Sequence, residues 1–212
     1  MIEDAAQSFG CKFRQNKKYA GTFSDIGCFS LSIAKTISSG QGGFIVTNNQ
    51  SIFMSLKKIK NNGLLDIKNI KNWGKEGLNF KYTDILATLA ISDLNRFEYY
   101  KKNLINLYKI YLNNLNNKKI KILTVDYKNG EIPQYIEVIC NQRNKLQKFL
   151  QKMKIECRIF YPSMHKGNNK YKSSRKSFPN SDNFQRNGIY LPSGPNQSLN
   201  KIFKLIKVLN KF

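Results

Sequence analysis

Lys35 is the residue whose setting invites chemistry. It stands in the stretch Phe29-Ser30-Leu31-Ser32-Ile33-Ala34-Lys35-Thr36-Ile37-Ser38-Ser39-Gly40-Gln41-Gly42-Gly43, five residues after the hydroxyl of Ser30 and just before a turn with three glycines. The run Phe44-Ile45-Val46 follows, so the lysine falls on irregular backbone between two stretches that read as buried strands. A lysine alone means nothing in a chain with 36 Lys and Arg. Held out of water it is different. Desolvation disfavours the ammonium and leaves a neutral amine able to form a Schiff base, with the Ser30 hydroxyl in reach of whatever the amine holds.

A second candidate group opens the chain. Met1-Ile2-Glu3-Asp4-Ala5-Ala6-Gln7 begins with no helix cap, like the end of a strand already inside a sheet. Acidic residues directly after a strand lie at the carboxyl edge, where open α/β sheets place functional groups.

The elements that must position these residues follow in order. Gly10 to Thr22 is polar and glycine-punctuated, a loop or hairpin, and Asp25 to Ser30 and Gly43 to Thr47 read as strands. Ile52, Phe53, Leu56 and Ile59 recur at helical spacing from Asn49 to Asn61, and Asn62-Gly63 ends that helix. Leu64 to Phe80, with the only tryptophan, Trp73, reads as a long loop. Thr83-Asp84 caps a long helical pattern with Ile85, Leu86, Leu89, Leu94 and Phe97 on one face, running to about Asn114. A strand from Pro133 to Cys140, an amphipathic helix from Arg143 to Met153, a strand from Ile155 to Tyr161, an irregular polar stretch from Pro162 to Pro195 and a closing helix from Ser198 to Leu209 complete the chain. The expected organisation is an α/β domain over residues 1–117 with a long linking helix, then a small α+β domain over 118–212.

Composition narrows the function. Hydrophobic content of 41% and aromatic content of 12% fit a folded domain of 212 residues. A formal charge of +23 raises nucleic acid as a partner. The lysines are scattered among Asn and Ile, however, as an AT-rich genome would produce, and no RNP, zinc-finger or helix-turn-helix pattern accompanies them. Cys11, Cys28, Cys140 and Cys157 have no CxxC spacing and read as reduced core residues of a cytoplasmic protein. His165, the only histidine, has no ligand-spaced partner, so no metal site is expected. No apolar run approaches the roughly 18–20 residues of a membrane span.

Three patterns line up: Glu3-Asp4-Ala5-Ala6-Gln7, then Phe29-Ser30-x-x-x-x-Lys35 with Gly40-x-Gly42-Gly43, then Gly77-Leu78-Asn79-Phe80-Lys81. In that order they resemble the DegT/StrS-type nucleotide-sugar aminotransferases, pyridoxal-phosphate enzymes of fold type I, over nearly the whole chain. Arg96, Arg143 and Tyr161-Pro162-x-x-His165 also fall where that family has similar residues. The resemblance implies that Lys35 forms the Schiff base with pyridoxal 5'-phosphate and shuttles the proton. It implies that Asp4 pairs with the pyridinium nitrogen, that Gln7 lies beside the ring and that Ser30 donates to the phosphate. Asn79 would reach the phosphate of a neighbouring subunit, so the resemblance implies a homodimer with a shared active site. His165 and Lys81 would touch substrate. The implied reaction is ping-pong, with glutamate as amino donor and a nucleotide-linked keto-deoxysugar as acceptor. C4 is the favoured carbon, C3 the alternative, and surface polysaccharide the usual setting.

Each residue has a plainer reading. Asp4 alone is a strand-end cap, Ser30 a satisfied hydroxyl, Gly42 and Gly43 a tight turn, Asn79 a loop residue bonded to its own backbone, and His165 a structural ring. The ordered set with Lys35 is what favours the cofactor. The chain departs from the family at Gln41, where glutamate is common, and at Lys81, where arginine is common. Members also run to nearly twice this length. The expectation is therefore a C-terminal portion, lacking a helix N-terminus for the phosphate, an aromatic ring stacked on the cofactor and the strands that cover this sheet. Two alternatives stand beside it: a non-catalytic truncated remnant, and a basic nucleic-acid-binding module.

Overall fold

The structure is a computed structural model and describes residues 1–66, 68, 76–167 and 177–212. Trp73 lies outside the described residues. Two compact units are present, Met1–Tyr99 with Lys128–Ile132, and Tyr100–Tyr127 with Pro133–Phe212.

The first unit is built on three strands, β1 (Ile2–Asp4), β2 (Ile26–Ser30) and β3 (Gly43–Val46), in the order β1-β2-β3. β1 runs parallel to β2, with Asp4 opposite Cys28, and β3 returns antiparallel, with Gly43 opposite Ser30. Helix α1 (Gln50–Lys60) starts where the Asn49 side chain accepts the Ile52 N–H, and α2 (Asp84–Asn95) where Thr83 accepts from Leu86. The rings of Phe9, Phe29, Phe44 and Phe97 meet at centroid separations of 4.7 to 6.1 Å and form the unit's aromatic centre.

This unit is only partly covered. β3 read as a buried strand, yet Ile45 is 49% exposed, and α2 buries no residue although Ile85 is 75% and Ile91 58% exposed. Among the described residues of this unit, nothing covers those apolar faces.

The second unit has a complete core. Helix α3 (Phe97–Asn114) buries Tyr100, Leu104, Leu107, Tyr108 and Tyr111, the last three of them in this core, and Asn117, where the sequence placed the boundary, lies inside this unit. An antiparallel sheet in the order β4-β5-β7-β6 is made by β4 (Lys121–Ile122), β5 (Ile136–Ile139), β6 (Arg158–Ile159) and β7 (Gly188–Leu191). Ile136, Val138, Ile189 and Leu191 of this sheet pack with Leu146 and Leu150 of α4 (Arg143–Lys152) and with Ile202, Leu205, Ile206 and Leu209 of α7 (Leu199–Asn210). The short α5 (Met164–Gly167) and α6 (Pro179–Asn187) precede β7.

Three sequence expectations are corrected. The long helix is two helices, because at Arg96 the amide turns back to the Asp93 carbonyl three residues away. The strand expected over Ile155 to Tyr161 is shorter, formed at Arg158–Ile159, with the Phe160 N–H also donating to the Gly188 carbonyl at 3.2 Å. The stretch from Pro162 to Pro195 is not irregular throughout, since it contains β7, a central strand with only three apolar residues in polar surroundings. Among the described residues there is no helix long and apolar enough to cross a membrane and no metal-holding group of His, Cys, Asp or Glu, and the four cysteines are free.

Two outcomes follow from this packing. Ile202→Ala should lower stability by about 2–5 kcal/mol in urea denaturation, whereas Ile85→Ala in this chain should change it by less than about 0.5 kcal/mol. Burial pushes the Glu137 carboxyl above its usual range. The folded state therefore binds that proton more readily than the unfolded one, and stability from this group is lost as pH rises through the folded pKa. Glu137→Gln should be more stable than the parent at neutral pH, with the advantage vanishing below about pH 4, the range of an unperturbed glutamate.

Candidate functional site

Parallel pairing brings β1 and β2 to the same carboxyl edge. β1 ends at Asp4 and β2 at Ser30, and Gly43 opens the returning strand opposite Ser30, so a carboxylate, a hydroxyl and a glycine turn share that edge. The chain leaves the sheet at Asp4, whose Oδ1 accepts the Ala6 N–H at 3.0 Å while the Ala5 N–H still donates to the Cys28 carbonyl at 2.9 Å. The strand-end cap is thus real, and the carboxylate that makes it is also exposed. Gln7 follows, exposed, in the turn. The neighbouring acid has other duties. Glu3 accepts the Gly21 N–H at 2.6 Å and the Phe23 N–H at 3.1 Å, tying down the loop before β2. Of the two acids, Asp4 is the one with the exposed carboxylate.

Lys35 rides on a closed loop between β2 and β3. The Ser30 and Ser32 hydroxyls lie 3.3 Å apart, and the Lys35 N–H donates to the Ser32 carbonyl at 3.0 Å. Leu31 N–H donates to Gly42 O at 2.9 Å and Ser39 N–H to Leu31 O at 3.0 Å, so the loop is stitched at its base. Leu31 and Ile37 are buried, and Lys35 itself is half-buried. Gly40 at φ +88° and Gly42 at φ +106° occupy the left-handed region. A side chain at Gly43 would run into the Phe29 carbonyl. The glycines serve the tight turn, as their plainer reading has it, and that turn fixes the loop carrying the lysine.

Sequence reasoning missed the residues that clamp this loop. Asp93 of α2 accepts the Ser38 N–H at 3.1 Å, and the Tyr82 hydroxyl donates to the buried Ser39 hydroxyl, which in turn donates to the Gln41 carbonyl at 2.7 Å. These partners lie 43 to 55 residues apart in the chain. No local pattern announces such pairs.

The remaining candidates sit elsewhere. Asn79 is exposed and held by backbone at the end of α1, where it bridges Asn61 while Leu78 N–H donates to Ile59 O at 2.8 Å. Lys81 is exposed on the way to α2. His165 belongs to the second unit, with Nε2 3.2 Å from Asp182 Oδ1 and its ring beside Phe178. Lys166 contacts the other Asp182 oxygen at 2.8 Å, and its hydrogen bond, ahead of those from Ser163 and the nearby charges, holds that carboxyl below the usual range. Arg143, at the start of α4, has buried Nε and Nη1 atoms without a hydrogen-bond partner among the described residues.

The model of the DegT/DnrJ/EryC1/StrS aminotransferase family matches residues 1–210. GDP-perosamine synthase of Escherichia coli O157:H7 is 30% identical over an alignment of 221 residues that covers 100% of this chain and 58% of that protein. A crystal structure of a DegT DnrJ EryC1 StrS aminotransferase from Brucella abortus superposes with a TM-score of 0.87 at 25% identity, covering 100% of this chain and 56% of the other. The E. coli GDP-4-keto-6-deoxy-D-mannose-3-dehydratase, solved with bound hydrated PLP, has the same fold, with a TM-score of 0.82 at 20% identity over 98% of this chain and 59% of that one. The chain spans little more than half the length of the curated relatives it matches.

The clamp on the loop can be tested directly. Asp93→Ala removes the acceptor for the Ser38 N–H, so hydrogen exchange at Ser38 and its neighbours should accelerate about tenfold, the effect of a hydrogen bond worth about 1–1.5 kcal/mol. Exchange in the second unit should stay as it was.

Proposed function

The chain belongs to the DegT/DnrJ/EryC1/StrS aminotransferase family, and from that premise we propose that it carries the lysine-bearing part of a pyridoxal-phosphate-dependent sugar aminotransferase. The observation that carries the reading is the shared edge, where Asp4, Ser30 and the loop of Lys35 follow adjacent parallel strands. The donor set fits the cofactor. A carboxylate suits a ring nitrogen that must keep its proton, a hydroxyl suits a phosphate oxygen, and a half-buried primary amine suits an aldehyde.

Pyridoxal phosphate, when bound, supplies an electron sink for breaking a C–H bond next to nitrogen. The chain's own residues do the rest. Asp4 would keep the ring nitrogen protonated, and Ser30 would donate to the phosphate. Gln7 would contribute beside the ring. The Lys35 amine would hold the cofactor's aldehyde group and move the proton at the substrate carbon. Asn79, tied to α1 rather than to the edge, is assigned to a partner subunit's phosphate, which makes the working form a homodimer. His165 and Lys81 are assigned to substrate, with the Asp182 contact orienting the imidazole.

The proposed acceptor is a nucleotide-linked keto-deoxysugar, aminated at C4 in preference to C3, with glutamate as donor. The similarity to GDP-perosamine synthase supports a nucleotide sugar.

The test uses the 212-residue chain itself. Incubation with pyridoxal phosphate, borohydride reduction and peptide mapping should place the label on Lys35 ahead of the other lysines. Lys35→Ala should remove that label and leave the background unchanged. Uniform labelling across the lysines would overturn the lysine assignment and favour a non-catalytic remnant.

A further inference from the structure

The positive charge is not spread evenly. The first unit contains 14 Lys and Arg against nine Asp and Glu, for a net +5, whereas the second contains 22 against four, for a net +18. The two units are nearly equal in length, 104 and 108 residues. A genome-wide bias toward lysine codons would act on both alike, so it does not account for this difference.

Within the second unit the charge has a form. On α4, Lys145, Lys148 and Lys152 are exposed at i, i+3 and i+7, and on α7, Lys204, Lys207 and Lys211, the last in its cap, repeat that spacing. Positions so spaced share one face of a helix. Leu146 and Leu150 bury the opposite side of α4, and Ile202, Leu205, Ile206 and Leu209 that of α7, all in one core cluster. Phe149 of α4 and Phe212 after α7 meet at 5.5 Å between ring centroids, and the Lys119 ammonium donates to the Phe212 carbonyl at 2.9 Å. Neither helix contains a single Asp or Glu. The layer therefore turns lysines outward with no acidic residue of its own to answer them.

We propose that the outward face of α4 and α7 docks on an anionic lipid surface. The chemistry favours lipid over nucleic acid. All six outward cations are Lys, compact charges on flexible stems that suit a fluid field of headgroups, and none is Arg, whose fork reads phosphates and base edges in fixed geometry. Phe203 is 40% and Leu199 44% exposed on α7, apolar groups able to enter the boundary between headgroups and acyl chains. A face built of two helices is a broad patch, not a single helix presented to a groove of a duplex. This inference does not rest on the aminotransferase reading.

The experiment is sedimentation of the full chain with phosphatidylcholine vesicles, with and without phosphatidylglycerol. Two variants are compared, K145Q/K148Q/K204Q/K207Q on this face and K17Q/K18Q/K57Q/K60Q on the first unit, each checked for unchanged circular dichroism. They remove the same charge from exposed positions. Binding should need phosphatidylglycerol and weaken as salt rises. It should fall about fivefold for each lysine neutralised on α4 and α7 and change little in the first-unit variant. Phe203→Ser should weaken it further at high salt, where the charge is screened. Equal losses in the two variants would overturn the proposal, leaving only the attraction of any polycation. So would displacement from the vesicles by an equal charge concentration of duplex DNA, with the same lysine dependence in DNA binding, which would assign the face to nucleic acid.

Discussion

Everything at the candidate site depends on the parallel pairing of β1 with β2. A parallel pair must send both strands toward the same edge, so whatever follows Asp4 and whatever follows Ser30 emerge together. An antiparallel pair would have put the carboxylate and the hydroxyl at opposite ends. β3 then closes the arrangement, because its antiparallel return from Gly43 leaves the chain between Leu31 and Gly42 to form a loop on that edge. The amine's position is thus set first by strand direction and then by hydrogen bonds within the loop. Asp93 and Tyr82 add a second fixed point from the α2 segment. A loop held at both base and flank costs less ordering entropy when a ligand arrives than one free to move.

The two acids of β1 show how neighbouring residues of like type acquire different work. Glu3 is engaged by two backbone N–H groups of the loop that leads into β2, so its charge is spent on structure. Asp4 keeps one bond to Ala6, which caps the strand, and is otherwise presented to solvent. The faces of β3 and α2 are exposed in the same way among the described residues. The contrast with the second unit is physical. There three helices cover the inner face of the sheet, and Val138, Ile189 and Leu209 are fully buried.

Much of this was legible in the sequence, for reasons that can be named. The strands on either side of Lys35 are apolar and the glycines between them demand a turn, so local chemistry sufficed. Asn49 and Thr83 marked helix starts because a side-chain acceptor is a local device. What escaped was long-range. Tyr82 and Asp93 act on Ser39 and Ser38 through pairings that only the fold creates. β7 escaped because a central strand of four residues, flanked by polar chain, gives too short an alternation to stand out, and its Gly188 is demanded by the Phe160 ring rather than by a turn. The break at Arg96 escaped because neither Pro nor Gly marks it.

The distribution of charge bears on how a phosphate could be held at all. The unit with the candidate site has a net charge of only +5 over 104 residues, so it offers little general field for an anion. A cofactor phosphate held there, as proposed, would depend on directional donors, hydroxyls and backbone N–H groups, whose contribution depends on geometry and is little affected by salt. The unit with net +18 is the reverse case, strong in field and poor in fixed donor geometry on its lysine face. Its interactions must be salt-sensitive and tolerant of a mobile partner. Specific chemistry and diffuse attraction make opposite demands on a surface, and the two proposals place them in different units.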